Sequence, residues 1–195
     1  MSAPHSEPFL GMRRSVEDAK RLDVAVYAAI ASTPTPALDG AMSRLSRAAD
    51  YSRLSLASAA ALALARGRAG RRAAGLGLAS LGVTASVVNL AVKPLWRRPR
   101  PGRVAQRVPL ARQVPMPGSG SFPSGHSAAA FAFATGVGRA MPSAGGPLHG
   151  LAALVAYSRV HTGVHYPGDV VVGALLGTAL AQLTTHALTR NAPDA

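Results

Sequence analysis

The sequence predicts an all-α fold, a membrane-embedded helical bundle of about five spanning helices with interfacial helices ahead of it. Three observations carry that prediction. Apolar residues make up 48% of the 195-residue chain and charged residues only 15%, a balance lean in charge for a soluble domain. Two apolar runs reach bilayer length and three shorter ones accompany them, separated by proline, glycine and arginine breaks. The apolar residues are mainly Ala, Leu, Val and Gly, so mean hydropathy is only +0.19, but small side chains suit close helix packing in lipid.

Taken in order, Val16 to Ile30 and Ala37 to Ala49 mix charges with apolar positions at helical spacing, as in Leu38, Met42, Leu45 and Ala49, and read as interfacial helices that do not span. Residues 1–50 thus form an N-terminal interfacial region ahead of a membrane domain over 51–190. Ser55 to Ala65 is apolar but short, and spans only with help from flanking residues. Arg66 to Arg72 reads as a basic turn. Ala73 to Val92 is the clearest span, twenty residues in which Asn89 is the one strongly polar side chain. Pro94 to Phe122 reads as a long loop with six prolines and six arginines, and loops of that length are usually functional or disordered. Ser127 to Met141 and Pro147 to Val160 are two further moderate spans, divided by a Gly/Pro break at Pro142 to Pro147. Asp169 opens the last span, which runs to Leu188 and carries Gly173 and Gly177 at the small-xxx-small spacing of close helix packing.

The chain has no cysteine, which removes disulfide frameworks and thiolate metal sites. No uninterrupted apolar stretch follows the N-terminal basic residues, so no cleavable signal peptide is predicted. A formal charge of +13 points to anionic partners: nucleic acid, acidic headgroups or a phosphorylated substrate.

Three motifs fall at span ends. Lys93 precedes Arg100-Pro101 by seven residues; Pro123-Ser124-Gly125-His126 opens a span; Ser158-Arg159 is followed by His165 and Asp169. If helices alternate direction, all three reach one level near the membrane interface, where Trp96 would anchor a helix end among headgroups. Ser124, Gly125 and His126 begin a helix, whose unpaired N–H groups and positive dipole end favour an anion. Lys93, Arg100 and Arg159 add charge-assisted hydrogen bonds. His165 and Asp169 are four apart, so the carboxylate can accept from one ring nitrogen and leave the other as a nucleophile. His126, opposite, can protonate a departing oxygen.

This set resembles the type 2 phosphatidic acid phosphatase family, whose pattern KxxxxxxRP, PSGH, SRxxxxxHxxxD is complete here over roughly Ser52 to Leu188. The resemblance implies an integral-membrane hydrolase of a lipid phosphomonoester or pyrophosphate. His165 would form a phosphohistidine, Asp169 would orient it, and His126 would act as general acid and then activate water. Lys93, Arg100, Ser124, Gly125 and Arg159 would hold the phosphate, with no cofactor and no metal. Membrane members of the family commonly have six spanning helices, whereas here the charged Val16 to Ile30 segment stands in place of the first.

Competing readings are weaker. Arg97, Arg98, Arg103, Arg107 and Arg112 read as solvated loop charges. His161 and His165 share the i, i+4 spacing of zinc sites, but Arg100 and Arg159 nearby would repel a cation, which leaves His161 a structural or supporting role. His5, His149 and His186 read as incidental. No G-x-S-x-G elbow surrounds Ser124. A vanadium haloperoxidase uses a similar residue set, but such enzymes are usually larger and soluble. A non-catalytic binder of anionic lipid or nucleic acid would have no need of His126 and His165 with Asp169. The expected partners are therefore a phosphorylated lipid and the membrane, not nucleic acid. Arg66, Arg68, Arg71 and Arg72 argue for a cytoplasmic far face, but the site-side loop is equally rich in arginine; it is the family resemblance that implies the cell membrane with an extracytoplasmic site.

Overall fold

The computed structural model describes residues 7–190, among which all regular structure is helical. Seven helices follow one another: α1 (Glu7–Ser32), α2 (Pro36–Ala48), α3 (Arg53–Ala65), α4 (Gly67–Leu95), α5 (Gly125–Ala140), α6 (Pro142–His161) and α7 (Pro167–Arg190). His5 lies outside the described residues.

Two of the expected breaks are shorter than the sequence reading made them. Arg66 alone separates α3 from α4. Gly67 turns the chain at φ 54°, a left-handed conformation that only glycine adopts freely, and Arg68, Arg71 and Arg72 are then good helix formers on the exposed surface of the first turns. The Gly/Pro break contracts likewise to Met141. Pro142 starts α6, where its missing N–H is no loss, and Pro147 is carried inside the helix at the loss of one hydrogen bond.

The α5 helix is the centre of the bundle, with α4, α6 and α7 packed around it and α3 against α4. Glycine makes the closest of these approaches. A Cβ on Gly177 would land on the Ala128 backbone, and one on Gly173 would sit 2.6 Å from the Ser124 carbonyl oxygen. Two apolar clusters lock the layers. Ala59, Ala73, Ala74, Phe133 and Val137 join α3, α4 and α5, while Tyr27, Ala31, Val108, Ala156, Val160 and Val170 seat α1 and the long loop on α6 and α7.

The helices α4 and α7 are long and apolar enough to cross a membrane, and only 22% and 28% of their most apolar windows is buried by protein. Leu90, Leu175 and Leu183 are each at least 66% exposed. A core helix of a soluble protein would bury such a surface, whereas a bilayer accepts it. Near its end, α4 widens into a π-helical turn over Val87–Val92, an insertion that is rare and often found at functional sites.

Candidate active site

Four helix ends and the long loop meet at one end of the bundle. The last turn of α4 supplies Lys93, the loop supplies Arg100, the start of α5 brings Ser124, Gly125 and His126, and the end of α6 brings Arg159. The turn between α6 and α7 carries His165, and the first turn of α7 carries Asp169. The Ser124 N–H donates to the Asp169 carbonyl (2.9 Å), tying α5 to α7 at this level.

His165 is buried and held on both sides. Its Nδ1 lies 3.4 Å from Asp169 Oδ2 and 3.4 Å from Ser121 Oγ, and its Nε2 lies 3.2 Å from Arg100 Nη1. A guanidinium has only donors, so Nε2 must present its lone pair and Nδ1 must carry the proton. The tautomer follows from the neighbour. Burial pushes the His165 ring down to about 4; the Asp169 bond opposes that fall and Arg100 adds to it.

Asp169 is wholly buried and fully engaged. Oδ2 accepts from the Ser121 hydroxyl and from the Tyr166 N–H (2.9 Å), and Oδ1 accepts from Arg98 Nη1 (2.8 Å). Arg98 also reaches Asp23 on α1 at 2.6 Å and lies over the Tyr166 ring at 4.1 Å. Asp23 in turn accepts from the Gly168 N–H at 2.7 Å. His165 is thus oriented by an ionic chain that reaches back to the first helix.

On the opposite wall, His126 Nε2 donates to Asp50 Oδ1 at 2.9 Å, and Arg159 Nη1 lies 3.6 Å from the same oxygen. Arg159 is 1% exposed and donates to the Ser46 carbonyl (3.2 Å) and hydroxyl (2.7 Å). Between the walls lies a cavity of about 250 Å³ lined by Lys93, Arg100, Gly125, His126 and His165 among others. Ser124, Arg159 and Asp169 stand behind that lining. Ser124 caps α5, its Oγ accepting from the Ser127 N–H at 3.4 Å. Lys93 Nζ and Arg100 Nη2 both reach Ser119 Oγ, at 3.3 and 3.4 Å, on the rim.

Three loop arginines read as solvated are instead internal. Arg98 is in the chain just described. Arg103 donates to the carbonyls of Gly163 and Val114. Arg112 is fully buried, paired with Asp39 (2.7 Å) and donating to the carbonyls of Ile30, Ala31 and Thr33 at the end of α1. The loop has few apolar residues to bury, so its guanidiniums fasten it by satisfying free helix-end carbonyls. Arg97 and Arg107 remain exposed. His161 faces Asp39 at 3.1 Å, joining the Arg112 cluster. His149 bonds Thr135 and the Gly145 carbonyl. Sequence reasoning missed Asp50, Ser46, Ser121 and Asp23, because each lies outside the motif spacings and only the fold brings it near.

A cationic, histidine-lined cavity lies at one end of a helical bundle that carries two apolar helices of membrane-spanning length, an arrangement suited to the phosphate of a lipid. A model of the PAP2 superfamily matches residues 73–193, and the chain belongs to that superfamily. Decaprenylphosphoryl-5-phosphoribose phosphatase of Mycobacterium tuberculosis is 38% identical over 131 residues, 67% of this chain and 68% of that protein. Among solved structures, Aquifex aeolicus LpxE superposes with a TM-score of 0.69 at 25% identity, covering 85% of this chain and 95% of that one. A PAP2-type phosphatidylglycerolphosphate phosphatase from Bacillus subtilis superposes with a TM-score of 0.68 at 23% identity, over 91% and 90% of the two chains, a likeness of fold. The protein is a lipid phosphatase of the membrane.

Proposed function

We propose that this enzyme hydrolyses a lipid phosphomonoester through a phosphohistidine on His165, without a metal ion. The observation that carries the reading is the pairing of His165: Asp169 and Ser121 on the Nδ1 side, and a donor-only arginine on the Nε2 side. In the first step Nε2 attacks phosphorus, the P–O bond to the lipid alcohol breaks, and His126 gives the departing oxygen its proton. The Nδ1 proton stays between the ring and Asp169, which stabilises the positive ring as the N–P bond forms. In the second step His126 removes a proton from water, the oxygen attacks phosphorus, the N–P bond breaks, and inorganic phosphate leaves.

Lys93, Arg100, Arg159, Ser124 and the start of α5 at Gly125 hold the phosphoryl oxygens in this reading, by charge and by helix-end N–H groups. Arg159 is then shared with Asp50 until substrate arrives. Five helices, α3 to α7, cross the membrane, the shorter ones by local thinning of the bilayer and snorkelling of their flanking residues. The exposed arginines at 66, 68, 71 and 72, at the junction of α3 and α4 and in the first turns of α4, face the cytoplasm, and the site opens on the other side. The mycobacterial relative's name makes a sugar-linked polyprenyl phosphate the first substrate to try.

The test is phosphate release by detergent-purified protein from lipid mono- and diphosphates in the presence of EDTA, beside His165→Ala. The expected result is EDTA-resistant release by the wild type, loss of turnover in the variant, and an acid-labile phosphoenzyme trapped only in the wild type. Release that needs metal, or that survives His165→Ala, would overturn the mechanism.

A further inference from the structure

The mechanism uses the cationic wall of the cavity, but the cavity has a second wall of different chemistry. Asn89 and Ser52 line it together with Leu54, Val88 and Val155. Asn89 sits in the π-helical turn of α4, four residues before Lys93, so the amide and the ammonium face the same space. Its Nδ2 donates one hydrogen to the Ala85 carbonyl at 2.9 Å. A primary amide has a second N–H and a carbonyl with two lone pairs, and those groups remain for a ligand.

Ser52 occupies the helix-start position of α3, yet its side chain makes no capping hydrogen bond. A serine at that position usually spends its hydroxyl on the helix. Tyr51 and Ser52 both have left-handed backbones, at φ 55° and 56°, conformations disfavoured for residues with a side chain. Two departures from local rule, a π turn and a strained helix start, thus aim two neutral polar side chains into one cavity beside the phosphate-binding cations.

We propose that Asn89 and Ser52 read hydroxyl groups on the alcohol side of the substrate, so that the enzyme selects lipids whose phosphate is borne by a polyol headgroup. Neutral amide and hydroxyl groups match the hydroxyls of a sugar or glycerol unit, which both donate and accept. Leu54, Val88 and Val155 beside them meet the apolar chain beyond. This inference rests on the phosphatase reading above, since it assumes that the phosphate lies among Lys93, Arg100 and His165.

The test compares two lipid monophosphates of matched chain length, one phosphorylated on a sugar hydroxyl and one phosphorylated directly on a polyprenol. The readout is the ratio of their kcat/KM values for wild type, Asn89→Leu and Ser52→Gly. The wild type should favour the sugar-bearing lipid, and each variant should lower the ratio about tenfold, the effect of one neutral hydrogen bond. Ser52→Gly removes the hydroxyl while relieving the left-handed backbone, so its thermal midpoint should not fall. Should Asn89→Leu fail to fold, the Ser52→Gly ratio decides. An unmoved ratio, or a wild type that prefers the hydroxyl-free lipid, overturns the headgroup reading alone. A wild type that releases phosphate from neither lipid defeats the phosphatase reading, and this one with it.

Discussion

His165 shows how much of a residue's chemistry is set by what surrounds it. The free ring titrates near 6.5, but burial and Arg100 lower this one to about 4 against the pull of Asp169. The sign has two consequences. Between about 6.5 and about 4 the unfolded chain binds a proton that the folded ring refuses, so this group withdraws stability as pH falls through that window. Over the same window the folded enzyme keeps Nε2 neutral and nucleophilic. A histidine titration followed by 15N NMR, with His165→Ala to assign the ring, should place its midpoint clearly below 6; a midpoint near 6.5 would contradict the enclosure described. Arg98 acts through Asp169. Arg98→Ala removes one charged partner from a buried carboxylate and should lower kcat about 10- to 100-fold with a smaller change in KM. Arg107→Ala, at an exposed loop position, should change neither. Equal losses in the two variants would remove Arg98 from any positioning role.

At the scale of elements, the site depends on how closely α5 and α7 approach. Gly173 and Gly177 let the α7 backbone lie on Ser124 and Ala128, and that contact sets the height at which the Ser124 N–H meets the Asp169 carbonyl. Gly177→Val must push the helices apart, and should both lower the detergent thermal midpoint by several degrees and reduce turnover. Gly75→Ala, where a Cβ meets open space on α4, should instead add up to about 1 kcal/mol of helix stability. A harmless Gly177→Val would show that α7 does not lie directly on the Ala128 backbone. The π turn in α4 has a comparable role, since one residue removed from it would rotate Lys93 by about 100° around the helix and away from the cavity.

At the scale of the whole molecule, charge is distributed by function. Arg98, Arg103 and Arg112 are held by internal partners on the site side and Arg100 lines the cavity, while Arg66, Arg68, Arg71 and Arg72 stay exposed at the start of α4, at the other end. The absence of native cysteine makes the orientation directly testable. Arg107→Cys should react with a membrane-impermeant maleimide in intact cells, and Arg68→Cys should react only after permeabilisation. The reverse pattern would turn the protein over in the membrane and put its site in the cytoplasm.

Helix number and order, the phosphatase motifs and the family were legible in the sequence because each rests on local information: apolar runs of bilayer length, breakers between them, and reactive residues at fixed spacings. On that basis Lys93, Arg100, His126, His165 and Asp169 were expected at one level, and the fold brings them to one end of the bundle. The lengths of the breaks were less legible, since whether Pro142 to Pro147 or Arg66 to Arg72 interrupts a helix depends on a single residue's backbone, Met141 in one case and Gly67 in the other. Only the tertiary structure decided the rest of the site. Asp50 at His126, Ser46 at Arg159, Ser121 and the Arg98–Asp23 pair at Asp169, and the burial of Arg112 on Asp39 join residues far apart in the chain. A spacing rule reaches as far as one helical turn or one loop. The fate of a charge outside such a pattern, solvated or buried against a partner, is settled by which distant surface the fold lays over it.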